Sequence, residues 1–258
     1  MQRLFSLAVL AAGLFSASGA AQCARETLVA ATNKLLAAQT AGKPETMGAL
    51  TGVAYLEQFK AADVKRGILA TPLKLDFNRS LHDTVQCATY TEMVAAKGAH
   101  PYVVGTQMRF APNGTMVNMS SLVTDSGDWL FNATGTLYWA SREKWDVIPE
   151  AQRDSRATIQ AAADAYADIF NDKSVKVPWG SPCARLEGGA YTGNGGPSDR
   201  CDVGIPTGVA LVNRRYVIDE TIGAVDVFID FATVPDSHEF RIEKGKIRFV
   251  HTITVMGG

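Results

Sequence analysis

Standard catalytic signatures are missing from this chain. It holds no G-x-S-x-G, no H-E-x-x-H, no G-x-x-x-x-G-K and no strand-linked G-x-G-x-x-G. Its four histidines and four cysteines show no CxxC or Cys/His spacing of a metal site. These absences exclude the common hydrolase, zinc-protease, P-loop and dinucleotide readings, and the expectation is a protein without cofactor or metal. Charge of one sign is also scarce: the formal balance is −1, which argues against a nucleic-acid partner or an anionic membrane surface. Long apolar runs are confined to residues 4–15, too short to span a bilayer.

What is present begins with a leader. Arg3, the apolar run and a stretch of Ser, Ala and Gly up to residue 20 read as a signal peptide over residues 1–20. The mature chain is then expected in the secretory-pathway lumen or outside the cell, with no membrane attachment. Two features agree with that compartment. Cys23, Cys87, Cys183 and Cys201 are an even set, and of three pairings Cys23–Cys87 with Cys183–Cys201 is favoured, each closing within one half of the chain. Sequons for N-glycosylation occur at Asn78, Asn113, Asn118 and Asn132.

The halves are themselves related. Leu28, Ala31, Leu35 and Leu36 mark a helix that recurs as Ile159, Ala162, Ala163, Tyr166, Ile169 and Phe170, and β-type segments follow each. Leu28 to Ile159 spans 131 positions, Asn78 to Asn213 spans 135, and Gly114 to Gly245 again 131, the drift expected of loop insertions in a tandem duplication. The reading is a first repeat over 21–140, a charged linker over 141–156 and a second repeat over 157–258.

Within the second repeat, residues 213–231 and 239–255 read as strands, with turns at Pro235-Asp236 and Lys244-Gly245. Alternation places Ile247, Phe249, His251, Ile253 and Val255 on one face of the last strand. Residues 128–139 of the first repeat are expected to add a strand pair. Fold class is α+β. A helix followed by a bent antiparallel sheet resembles the ketosteroid-isomerase-like or SnoaL-like cone, and such a resemblance implies two tandem cones forming a pseudo-dimer, with a further homodimer allowed.

Candidate chemistry concentrates in the second repeat. His251 among apolar neighbours is expected to be desolvated and neutral, able to give and take a proton near pH 7. Asp219 or Asp226 is expected to orient it. Arg185 and Tyr191 are candidates to hydrogen-bond a carbonyl oxygen as it gains charge, while Arg185 with Glu187 also reads as a structural ion pair. His238, beside Pro235 and Asp236, is expected to be solvated, and His82 with Asp83 is a weaker version of the His251 idea.

The segments Cys23-Ala24-Arg25-Glu26, Phe77-Asn78-Arg79-Ser80-Leu81-His82-Asp83-Thr84-Val85-Gln86-Cys87, His100-Pro101-Tyr102-Val103-Val104-Gly105-Thr106-Gln107 and Arg214-Arg215-Tyr216-Val217-Ile218-Asp219-Glu220 resemble a family of secreted filamentous-fungal proteins of unknown function. Some members resemble the hetero-Diels–Alderases that join a tropolone-derived quinone methide to humulene-type sesquiterpenes. That resemblance implies a cofactor-free cyclase acting on apolar small molecules but carries over no catalytic residues; His251, Asp219, Arg185 and Tyr191 are the candidate site from the reading of the residues alone. The alternative is a secreted binding, effector or cell-wall protein without catalysis.

Overall fold

The computed structural model describes residues 23–257; the leader reading falls on residues 1–20, outside the described residues. The first half runs α1 (Arg25–Ala41), β1 (Ala54–Glu57), β2 (Lys60–Ala61), β3 (Phe77–Asp83), β4 (Ala88–Ala95), β5 (Tyr102–Phe110) and β6 (Met116–Thr124). After α2 (Ala133–Ala140), the second half repeats the order as α3 (Arg156–Asp168), β7 (Trp179–Glu187), β8 (Ala190–Tyr191), β9 (Leu211–Asp219), β10 (Ala224–Phe231), β11 (Val234–Glu243) and β12 (Lys246–Thr254). The fold is α+β, with two six-stranded sheets in tandem.

Both sheets have one topology, β2-β1-β6-β5-β4-β3 and β8-β7-β12-β11-β10-β9. In each, the pair β1/β6 or β7/β12 is parallel and the remaining pairs are antiparallel. Register makes the repeat exact at the residue level where it matters most: Thr106 opposes Ser121 in the first sheet, and His238 opposes Thr252 in the second. By the same count Val104 and Val123 correspond to Asp236 and Thr254, and Tyr55 and Glu57 to Arg185 and Glu187.

Three apolar cores follow from strand alternation. Leu35 and Ala38 of α1 pack on Met93, Val104, Met108 and Met119 of the first sheet. Ile159, Ala163, Tyr166 and Phe170 pack on Val225, Val227, Phe240 and Val250 of the second. Between the sheets lie Leu81, Tyr90, Val94, Val103 and Leu122 from the first and Val217, Ala224, Phe228, Ile253 and Val255 from the second. The layers therefore run helix, sheet, sheet, helix. Strand β4, covered on both faces, is buried along its whole length.

Reciprocal ion pairs lock the layers. Arg156, the first residue of α3, donates to both oxygens of Asp83 at the end of β3, at 2.8 and 2.7 Å, and the Ile218 amide donates to the same carboxylate at 2.9 Å. Arg25, the first residue of α1, donates to both oxygens of Asp219 at the end of β9, each at 2.8 Å, and the His82 amide donates at 3.0 Å. Each helix start is thus tied to the opposite repeat's sheet. Disulfides Cys23–Cys87 and Cys183–Cys201 each close within one half.

Three expectations are corrected. Residues 133–140 form α2 and not a strand, because Asn132 caps the helix by accepting the Gly135 amide at 3.0 Å, and Ala133 enters the inter-sheet core. Pro235 and Asp236 lie inside β11, and the chain reverses at Ala232-Thr233, since Phe231 opposes Val234. A register shift before Phe249 turns Ile247 toward α3, whereas Phe249 and His251 face the other sheet. Among the sequons, Asn78, Asn113 and Asn132 are exposed and Asn118 is half-buried.

The clamp carboxylates, 0–1% exposed, differ from the surface pair Arg66–Asp63, whose side chains are 84% and 45% exposed. Losing one partner of a buried pair strands the other charge, so Asp83→Ala and Asp219→Ala are each expected to lower unfolding free energy by about 3–5 kcal/mol. Asp63→Ala is expected to change it by less than about 1 kcal/mol. Denaturant titration of the three variants checks the contrast.

Candidate functional site

Strands β7, β11 and β12 and the segment that follows Cys201 line a cleft of about 320 Å³ in the second repeat. Phe170, Phe231, Val234 and Pro206 supply apolar wall, and Trp129 and Met256, both about half exposed, stand at the cleft. Polar side chains on it are Arg185, Glu187, His238, Thr252 and Thr254. Arg185 has little freedom: its two terminal nitrogens donate to the Cys201 and Val203 carbonyls at 3.1 and 2.6 Å, and its Nε faces Glu187 at 2.9 Å. Its work is to hold the loop that walls the cleft.

The matching volume of the first repeat is filled. Tyr55, Leu35, Met93, Met108 and Met119 occupy it, leaving a crevice of about 20 Å³, and the Tyr55 hydroxyl donates to Glu57. There Thr106 and Ser121 hydrogen-bond each other at 2.9 Å. Their counterparts His238 and Thr252 do not: the Thr252 hydroxyl and His238 Nδ1 are buried without a hydrogen bond among the described residues.

A second polar cluster lies between the sheets. Arg79 of β3 donates from Nη2 to Glu92 of β4 at 2.8 Å and to Glu239 of β11 at 2.6 Å, with Trp145 stacked on its guanidinium at 3.7 Å. His251 of β12 faces Glu92 through Nδ1 at 3.0 Å and Glu143 through Nε2 at 2.7 Å. Tyr191 donates to the other Glu143 oxygen at 3.0 Å and stacks on Trp139 at 4.0 Å. Glu92, Glu239 and His251 offer three ligand atoms within 4.8 Å of one another, a geometry able to hold a cation. Arg79 Nη2, within 2.9 Å of all three, stands where that cation would sit.

Electrostatics follow from this packing. Burial opposes the charged form of His251, but Glu92 and then Glu143 overcome it and raise the imidazole to about 10. Burial likewise opposes ionisation of Glu92, yet His251 and Arg79 bring it down to about 2. Glu143 is lowered against its burial by His251. Glu239 is raised, because burial outweighs Arg79. Asp226, fully buried, is pushed well above the carboxylate range by desolvation, although Ser237 and Gln107 donate to it at 2.6 Å each.

The structure therefore separates the four sequence candidates. Arg185 lines the cleft. His251 and Tyr191 meet at Glu143, between the sheets. Asp219 belongs to the Arg25 clamp, with its carboxyl lowered to about 2 by the His82 and Arg25 hydrogen bonds against burial, and is not among the partners of His251. Nor is Asp226, which bonds Gln107 and Ser237. The histidine expected to be neutral at 251 is instead shifted toward its charged form, since Glu92 of β4 and Glu143 of the 141–155 segment outweigh its burial. His238, expected in solvent, is 4% exposed. Its signal was Asp236-x-His238 at strand spacing, hidden by assigning Pro235-Asp236 to a turn.

In comparison with known families, residues 152–254 fit a model described as a domain of unknown function (DUF8021). The second repeat, with its cleft, is thus similar to that family. No curated protein matches the chain.

With the folded His251 near 10 and its ordinary value 6.5, the stabilisation it provides is complete below about pH 6.5 and is lost as pH rises through 10. Wild-type stability is expected to fall by on the order of a few kcal/mol over that range. His251→Gln should be less stable at pH 6 and should lack the decline. Thermal or denaturant melts between pH 6 and 10 give the comparison.

Proposed function

We propose that the protein is an exported, cofactor-free enzyme acting on apolar small molecules, that its repeats are SnoaL-like cones, and that the second repeat carries the working pocket. The observation that carries this reading is the asymmetry of the duplication: one cone is packed shut with methionine, leucine and tyrosine, and its twin keeps a cleft of about 320 Å³ with apolar walls and a few convergent polar groups. That volume lies at the lower end of the roughly 300–1,000 Å³ of small-molecule sites.

The reaction class we favour is the hetero-Diels–Alder joining of a tropolone-derived quinone methide to a humulene-type sesquiterpene. Such a reaction asks for two partners held in reactive geometry in a dry cavity, and orientation alone can contribute roughly 7–11 kcal/mol. Room for two supports it: a neighbouring crevice of about 340 Å³ shares Val234 and Met256 with the cleft. No nucleophile or redox group is needed, in keeping with the missing motifs.

Incubation with an enzymatically generated quinone-methide precursor and humulene, followed by chiral chromatography and mass spectrometry, is expected to give one enriched stereoisomer over a heat-killed control. Val234→Trp, which fills the shared wall, should abolish the enrichment while leaving the fold intact. A product mixture equal to the control would remove the cyclase reading and leave a ligand-binding protein.

A further inference from the structure

Asp236 and His238 occupy successive inward positions of β11, both facing α3 and the cleft side of the sheet, because strand residues two apart share a face. Their first-repeat counterparts, Val104 and Thr106, carry no titratable group, so this pair belongs to the open cone alone. Asp236 is fully buried, and its Oδ1 accepts the hydroxyl of Thr254, itself on the cleft, at 2.8 Å. Its Oδ2 stands 2.8 Å from His238 Nδ1 but off the hydrogen-bonding direction, leaving both atoms without a hydrogen bond. Catalytic hydrogen bonds are often poorly aligned in ligand-free enzymes and tighten on binding.

More unpaired polarity surrounds the same ring. Tyr166 of α3 packs on His238 with centroids 5.3 Å apart, and its hydroxyl is buried without a hydrogen bond; the Thr252 hydroxyl opposite His238 is in the same condition. Phe170 and Phe240 close around the imidazole at 6.4 and 6.0 Å. Leaving a buried polar atom unpaired costs about 1–3 kcal/mol, and here several such atoms gather at one cleft while the equivalent pair in the closed cone satisfies itself. This pattern is that of a site whose missing partner is a ligand.

We propose that His238, positioned by Asp236, exchanges a proton with the hydroxyl of an otherwise apolar ligand bound in the second-repeat cleft. The inference rests on the cleft reading above and makes His238 a catalytic group within it. In the forward step the ligand O–H bond breaks and an N–H bond forms at Nε2, the ring nitrogen turned away from Asp236. The electron pair stays on the ligand oxygen as an oxyanion, and the Asp236 carboxylate faces the imidazolium so formed. The reverse step returns the proton, so the histidine is regenerated without a co-reactant.

Other ionisable groups bear on this histidine. Arg185 and Glu187 of β7 share its cleft, Asp236 lies on its own strand, and Tyr166 and Asp164 of α3 with Arg214 and Tyr216 of β9 share the small crevice on its other side. Arg214 is already paired with Asp164 and Asp168, at 3.0 and 2.5 Å, and Tyr216 donates to Asp164 at 2.5 Å. Asp236 is therefore the nearest anion facing the ring.

The test uses 2-naphthol, an aromatic hydroxyl compound whose absorption distinguishes its neutral and anionic forms. Wild-type protein at pH 7 is expected to bind it saturably and to show the naphtholate band. His238→Gln should bind it in the neutral form. Asp236→Asn, which removes the anion facing the ring, should bind it saturably with a smaller naphtholate fraction at pH 7 than wild type. If His238→Gln does not fold, Asp236→Asn carries the same test. Binding with an unchanged naphtholate fraction in the folded variants, or binding to wild type in the neutral form only, overturns the proposal and leaves the cleft reading standing. Absence of saturable binding to wild type, or undiminished binding to Val234→Trp, removes the cleft reading and the proposal together.

Discussion

Arg25 and Arg156 open the two equivalent helices, and each reaches across the molecule to a buried aspartate that ends a strand of the other repeat. The rest of the architecture depends on this exchange. Asp83 and Asp219 are buried carboxylates, so each needs a guanidinium and backbone amides around it; in meeting that need they tie β3 to β9 and set both helices on the outer faces. The inter-sheet core of Tyr90, Phe228, Ile253 and their neighbours then fills a space whose width is already set.

Once the repeats are locked together, neither has to be self-sufficient, and their interiors have diverged. The first became core. Methionines, which fill irregular space well, leave it only a crevice of about 20 Å³, and Thr106 and Ser121 there bond each other. The second kept a cleft, with the Cys183–Cys201 disulfide and Arg185 holding the wall loop in place. Between the sheets, the Arg79 cluster carries charge that would be prohibitive alone, and segment 141–155 contributes Glu143 and Trp145 to cover it.

Much of this was legible in the sequence, for identifiable reasons. The 131-residue spacing of Leu28 to Ile159 and of Gly114 to Gly245 reflects equivalent helices and equivalent hairpins, and the cysteine spacing already favoured the pairs that form. What stayed hidden depends on contacts distant in sequence. Nothing local to His251 announces Glu92, 159 positions away, so burial alone suggested a neutral ring where Glu92 and Glu143 favour the charged form. Asp219 sat beside Arg214 and Arg215 in sequence, yet its partner is Arg25, 194 positions away. Thr136, Tyr138 and Trp139 favour strand, and the cap at Asn132 with burial of Ala133 and Ala140 overrides them.

The central claim is that ligand enters the second repeat and not the first, and methionine methyl groups report on both. Met256 stands at the cleft, and Met93, Met108 and Met119 fill the interior of the first repeat. In protein labelled with methyl-13C methionine, titration with humulene should shift the Met256 resonance in a saturable way and leave the other three in place. Shifts at Met93, Met108 and Met119 with Met256 unmoved, or no shift at any of them, would contradict the assignment of the working pocket to the second repeat.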